Sequence, residues 1–402
     1  MPGDKGDERT ASSAVAEGAS LVCPEGVDTA ASSGRSVSFA APLPIEHLRR
    51  ALDDLFAPSP LTYWFDFLAS AGCFYGSFAV AASLPISNPL SWIAAVVSVV
   101  ALYRAVAFIH ELVHQPSGRM RTFRLAWNLL LGIPLLVPAF LYGSHLDHHR
   151  RHAYGTAKDG EYSPWGRPGN RVAIVMFLLS SLAVLPAAVV RFGLLTPLAW
   201  ISRPVREWVW SAASSLVVDL RYRRDPPSPV DSRHRRNQEI GVFIYLLAVV
   251  GGLLTHLVDA ALLAQLYLTA AAALFLNGLR TLAAHRYRSA GDQSTMTQQL
   301  VDSMNYPRRS CLTALWAPIG LRYHAVHHLF PGIPYHNLRL AHRRLVRLLP
   351  ADSPYHQTEG DGLIASLRDL WRAAGRQPGR RLRGAPSGTA MRLADRRSES
   401  AD

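Results

Sequence analysis

Cysteine is scarce in this chain, and no two cysteines stand close together. Cys23, Cys73 and Cys311 are the only three in 402 residues, and no CxxC pair occurs. That excludes a cysteine-ligated iron–sulfur cluster or zinc ribbon and gives no sign of a disulfide framework. A GxGxxG nucleotide fingerprint and a haem-attachment motif are also missing, so electrons for any redox chemistry must come from another protein. Acidic residues are short as well: 29 Asp and Glu face 42 Lys and Arg, for a net charge of +13. Such an excess is commonly read as nucleic-acid binding. Here the arginines flank long apolar segments, so topology explains them better, and no nucleic-acid partner is expected. The first forty residues, rich in Ala, Ser and Gly with scattered charges, do not read as a secretory signal peptide.

Hydrophobic residues, by contrast, make up 49% of the chain and come in long runs. Runs at 63–84, 90–109, 240–258 and 260–282 each approach the roughly 20 residues that cross a bilayer core. Two further apolar stretches are interrupted by proline. Pro134 and Pro138 break 125–142, and Pro186 breaks 172–195, with Pro197 just beyond. These predict re-entrant or interface-lying segments, which need protein cover or a polar cavity for their freed backbone groups. The stretch 203–236 carries eight arginines against four acids, and 373–402 carries seven against three. The positive-inside rule then puts these basic stretches in the cytoplasm and the turns near 85–89 and 255–260 outside. The expected architecture is an all-α integral membrane protein of about four transmembrane helices plus re-entrant or interfacial segments, with a cytoplasmic histidine-rich cap. Residues 1–40 are expected to be a disordered N-terminal segment, 41–372 the membrane domain, and 373–402 a disordered arginine-rich tail.

Eight of the sixteen histidines fall into three boxes. They are His110 and His114 in HELVH, His145, His148 and His149 in HLDHH, and His324, His327 and His328 in HAVHH. Residues spaced i, i+3 and i+4 share one helix face, so each box can aim its imidazoles at one point. Neutral imidazole is a common metal ligand. Eight converging rings exceed what one zinc ion uses and suit a pair of transition-metal ions, iron among them. The topology above brings all three boxes to one side of the membrane. Two other readings compete. HELVH is a literal HExxH, with Glu111 as the base of a membrane zinc protease, but that leaves both HxxHH boxes unused. A metal transporter would carry histidines at midplane depth, whereas these cluster at the ends of runs.

The order HxxxH, HxxHH, HxxHH resembles the membrane fatty-acid desaturases and their hydroxylase relatives. The likeness continues through His324-Ala-Val-His-His-Leu-Phe-Pro-Gly-Ile-Pro-Tyr-His336-Asn-Leu and Asn277-Gly-Leu-Arg-Thr-Leu-Ala-Ala-His285-Arg. It covers about 63–350 and looks like the bacterial acyl-lipid branch. A third box beginning with His324 rather than Gln argues against the front-end type. The resemblance implies two iron ions held by the eight box histidines and His285, with dioxygen as co-substrate and a separate ferredoxin or cytochrome as electron donor. It implies an asparagine four residues before His285, contacting a metal-bound water. Thr281 stands there instead, and Asn277 lies two turns from His285, so the role falls to Thr281, passes to Asn277 or is absent. The implied activity is desaturation of a membrane-borne fatty-acyl lipid at the cytoplasmic face of the inner membrane. Hydroxylation or ketolation of a fatty-acyl, sphingolipid-like or carotenoid substrate is the alternative. No catalytic side chain is expected beyond the metal centre.

Acids that orient imidazoles are expected among Glu111, Asp147, Asp159, Glu161 and Asp302. His152 either faces the site or is exposed beside Arg150 and Arg151. His336 and His342 read as structural or surface residues.

Overall fold

A computed structural model describes residues 43–376 apart from Pro116, Ser117, Arg119 and Ala290. The expected disordered N-terminal segment, and all but 373–376 of the expected tail, lie outside the described residues. The last helix, Leu363–Ala374, runs past the domain boundary expected at 372.

Two caps fix where the first long helices begin. Ser59 Oγ accepts the N–H of Thr62 at 3.3 Å, and Pro60 occupies the first turn, opening α1 (Pro60–Ser83). Asn88 Oδ1 accepts from Leu90 N at 3.0 Å, and Pro89 opens α2 (Pro89–His114). The short turn between them makes an antiparallel hairpin, tied across by Arg104 and Asp66 at 2.5 Å. Three more long apolar helices follow: α3 (Val184–Ile201), α4 (Ser232–Leu254) and α5 (Ala260–Ala284). Asp259 caps α5 through Ala261 N at 2.8 Å.

At roughly 1.5 Å per residue, helices of 23 to 26 residues reach about 35–39 Å, longer than a bilayer core of about 30 Å. Their outer faces carry exposed Leu61, Phe65, Trp92, Ile93, Val96, Ile244, Leu247 and Leu268. Water would penalise such a belt and lipid does not, so the chain is an integral membrane protein. Among the described residues the regular structure is helical, with only isolated bridges at His285–Ser303, Asn305–Tyr323 and Asn305–Glu359.

The stretch 125–142 behaves as its prolines require. Helix Arg121–Trp127 passes into a π-turn at Asn128–Gly132 and then breaks. Asn128 Oδ1 accepts Ala139 N at 2.9 Å, which folds the chain back on itself. A 3₁₀ turn, Ala139–Ser144, delivers the second box. The core here is aromatic: Tyr63, Phe67, Phe108, Phe123 and Trp127 are fully buried between α1, α2 and this returning segment. A second core, with Leu48, Leu300, Val326, Leu345 and Tyr355, forms the bed under the third box. Buried Arg191, in a π-turn of α3, meets Glu239 of α4 at 2.6 Å and fastens those helices together.

Candidate metal centre

Each box reaches the centre by a different local device. His110 and His114 are one helical turn apart at the end of α2. His145 and His148 form a single helical turn after the 3₁₀ segment, and His149 closes it. The third box sits in the short helix His324–Leu329. The N–H groups of Ala325 and Val326 in its first turn are accepted by Asn305 Oδ1 at 3.1 and 3.3 Å, and Ala325 N also reaches Met304 O at 3.2 Å. Asn305 is fully buried and is itself held by Thr358 through Nδ2 at 2.9 Å. His285 ends α5 in extended backbone and bridges to Ser303, two residues before Asn305. The cap and the bridge thus lock His285 against the third box.

The structure brings all nine predicted histidines together in two groups. His110, His114, His145, His149 and His327 form one; His148, His285, His324 and His328 form the other. Within each, one nitrogen per ring lies within 4.8 Å of the rest. Nε2 of His327 is 3.0 Å from that of His114 and 3.2 Å from that of His149. Nε2 of His285 is 2.8 Å from that of His324 and 3.1 Å from that of His148. His110 packs its ring 4.4 Å from that of His327, and neither of its nitrogens has a partner.

Hydrogen bonding among the rings does not explain this packing. His148 Nδ1 lies 2.8 Å from Asp159 Oδ2, so its proton sits there and its Nε2 carries a lone pair. Tyr154 donates to Asp302 Oδ2 at 2.8 Å, which leaves its oxygen to accept from His285 Nδ1 at 2.9 Å. With both rings neutral, the two Nε2 lone pairs face each other at 3.1 Å. A cation between them relieves the repulsion, and carboxylate or phenol partners behind the rings are what metal-bound histidines ordinarily have. The residues present therefore fit a pair of nitrogen-liganded metal ions.

Electrostatics agrees. Burial, reinforced by neighbouring imidazoles, holds His145, His149, His285, His324, His327 and His328 well below the usual histidine range. They are neutral, ligand-ready rings at neutral pH. His148 goes the other way: burial opposes its charge, but Asp159, Glu161 and Asp302 together outweigh that and raise it. Burial also raises Asp302, and pushes Glu161 up to about 7.

The candidate orienting acids divide. Asp159, fully buried, accepts from His148, from Gly155 N at 2.9 Å and from Glu161 N at 3.0 Å. Gly155 has φ +69, a conformation that favours glycine, and this turns its N–H onto the carboxylate. Glu161 Oε2 is 2.9 Å from His145 Nδ1, and Asp302 receives Tyr154 and Tyr162 behind His285. Asp147 instead pairs with Arg150 and Tyr222 away from the rings. Glu111 is 4.0 Å from His110 Nδ1 and spends Oε2 on Tyr63 OH at 2.5 Å and Tyr335 N at 3.1 Å. It pins the chain after the third box to α1, which is not the position of a protease base. His152 is exposed, so of its two readings the exposed one holds. His336 and His342 are structural, bonded to Ser59 N and Tyr355 OH.

Among the described residues five helices are long and apolar enough to span; the extra one, α3, overlaps the stretch expected to be interfacial. His114 at the end of α2 and His285 at the end of α5 meet in one centre, so the chain crosses an even number of times between them. The antiparallel pair α4 and α5 supplies two crossings, and α3 therefore does not cross. Its 18 residues, at about 27 Å, are also the shortest of the five.

A cavity opens beside the first group, with about 1300 Å³ of space counting open solvent at its mouth. Leu102, Val106, Leu135, Phe177, Leu185 and Leu274 are among its apolar walls. His110, Tyr142, Glu161, Asn277, Arg280 and Thr281 are among its polar groups. Asn277 and Thr281 thus both face the cavity, and Asn277 Oδ1 accepts from Arg280 at 3.1 Å. Spacing gave no signal for Asn305, Tyr154, Tyr162 or Arg280.

Comparison with known proteins gives a consistent answer. Residues 87–359 match the family model described as fatty acid desaturase. The chain is 37% identical over 324 residues to a ceramide hydroxylase of Caulobacter vibrioides (strain NA1000 / CB15N), covering 80% of this chain and 91% of that protein. No solved structure matches.

Proposed function

Because this chain belongs to the fatty acid desaturase family, we propose that it is an oxygen-dependent hydroxylase of a ceramide-class lipid, with two iron ions held by the nine clustered histidines. The observation that carries this reading is the apolar cavity whose wall includes His110, a member of the first group. An apolar chain lying there would have one of its carbons beside the ring cluster. The likeness to a ceramide hydroxylase favours adding oxygen over forming an alkene. Desaturation of an acyl chain is the second reading, favoured by the family match.

When bound, the metal pair would supply dioxygen activation and the oxidising power to attack an unactivated C–H bond. The protein's own groups do the rest. Asp159, Tyr154 and Asp302 keep protons on the outer nitrogens of His148 and His285, so the inner nitrogens stay free to ligate, and Glu161 lies 2.9 Å from the outer nitrogen of His145. The apolar walls keep water out and hold one methylene group in place. Electrons would come from a separate ferredoxin or cytochrome approaching a basic cytoplasmic face, where charge complementarity speeds encounter.

The test is mass spectrometry of lipids from a host expressing the full chain, beside a His327→Ala, His328→Ala control. The reading predicts N-acyl sphingoid lipids gaining one oxygen, absent in the control. Loss of two hydrogens would move the assignment to desaturase, and identical lipids in both hosts, with iron bound and a donor supplied, would contradict it.

A further inference from the structure

Arg280 is 8% exposed, lies on α5 one turn before the centre and lines the cavity. Among the described residues no carboxylate lies within ion-pair distance of it, and its Nε has no partner. Its guanidinium donates to the amide oxygen of Asn277 and also meets the hydroxyl of Tyr103, both neutral groups. A buried guanidinium held by no ion pair is costly, and a further strong acceptor would offset that cost. Glu161 lines the same cavity, and its Oε1 is buried without a partner while Oε2 faces Tyr142 and His145. Both unused polar atoms belong to residues that share the cavity wall with His110, while most of the other lining residues are apolar.

We infer that Arg280 and Glu161 form a polar recognition site for the amide of the lipid, Arg280 donating to the carbonyl oxygen and Glu161 accepting from the N–H. The pairing of one donor with one acceptor suits a neutral amide. A free fatty-acid carboxylate would meet Arg280 favourably but Glu161 unfavourably, and a plain alkyl chain would leave both groups unpaired. A substrate held this way has its polar linkage beside the centre and its chains along the apolar walls. The oxidised carbon therefore lies within a few bonds of the amide, and its position is counted from the amide and not from the methyl end.

This inference rests on the reading above and deepens it. Full-length protein in nanodiscs, without an electron donor, is titrated with N-palmitoyl sphinganine, with its ether analogue lacking C=O and N–H, and with palmitate. Wild type is expected to bind the amide about ten- to a hundredfold tighter than the ether, the size of a buried hydrogen bond to a charged group. Arg280→Met is expected to bring the amide down towards the ether and leave the ether unchanged. Amide and ether binding within twofold of each other in wild type would overturn the inference, as would a palmitate preference that Arg280→Met abolishes. The wild-type series decides even if the variant does not fold. Turnover on N-acyl chains of varied length adds a second readout: a fixed distance from the amide supports the site, and a fixed distance from the methyl end refutes it. Oxidised product with no amide preference would sink this inference alone, and amide preference with no oxidised product would sink only the hydroxylase reading.

Discussion

Replacing Asp159 with asparagine isolates what a single buried acid contributes to the centre. Oδ2 accepts from His148 Nδ1 and Gly155 N at 2.8 and 2.9 Å, and Oδ1 accepts from Glu161 N at 3.0 Å. An amide has only one oxygen. If it takes the Oδ2 place, its NH₂ confronts the N–H of Glu161 and leaves a buried donor unpaired, costing about 1–3 kcal/mol. If it flips, the NH₂ confronts His148 Nδ1–H, and the ring must move its proton to Nε2, which destroys the ligand. Either way His148 loses its carboxylate. Losing such a partner typically weakens metal binding about 10–100-fold, or about 1.4–2.7 kcal/mol. The assay is iron retention against a competing chelator, with Asp147→Asn as control because Asp147 points to Arg150 and Tyr222. The account expects Asp159→Asn to shift the competition midpoint by ten times or more and Asp147→Asn to leave it unchanged. Equal retention by wild type and Asp159→Asn would refute the reasoning.

Three other outcomes follow from the same geometry. Asn305→Ala strips the cap from the third-box helix and orphans Val326 N–H, leaving Ala325 N–H only its bond to Met304 O, and is expected to cost about 1–3 kcal/mol; a thermal midpoint indistinguishable from wild type would count against it. Glu239→Ala leaves Arg191 buried and unpaired between α3 and α4, with an expected loss of about 3–5 kcal/mol read by thermal aggregation in detergent, and no change would mean that the pair is dispensable. In metal-free protein, the six depressed histidines outside the spans stay neutral in the native state while their unfolded counterparts take up protons near pH 6.5. Their contribution to stability is therefore full above that pH and falls as pH drops below it; His342, depressed to about 4 by burial, adds in the same sense. His148, Glu161 and Asp302, all raised, oppose them but are outnumbered. The melting midpoint should fall between pH 6.5 and 5, and a rise over that interval would contradict the assignment.

Much of the centre was readable in the sequence because helical spacing alone aims each box. All eight box histidines, and His285 through family resemblance, converge as read. The proline-broken segment 125–142 also turned back as its composition required. What escaped depends on contacts between residues far apart in the chain. Asn305 caps a helix about 20 residues away, and Tyr154 reaches Asp302 across 148 positions, so no local period marks either. Glu111 stands beside His110 in sequence, yet it turns away because Tyr63 and Tyr335 compete for it. The extent of α3 was missed because Pro186 and Pro197 sit in its first turns and at a π-turn junction, where proline interrupts little. Arg280 looked like one more arginine near a span end, and only its burial in the cavity wall sets it apart.

The central claim is that two metal ions share nine histidines in two groups. Its most direct test is the iron content of the purified full chain, measured beside single variants His327→Ala of the first group and His324→Ala of the second. The account predicts about two iron ions per chain in wild type and about one in each variant, as each group loses a ligand while the other stands. A wild-type value of one or none after iron loading, or a full complement of two in both variants, would contradict it.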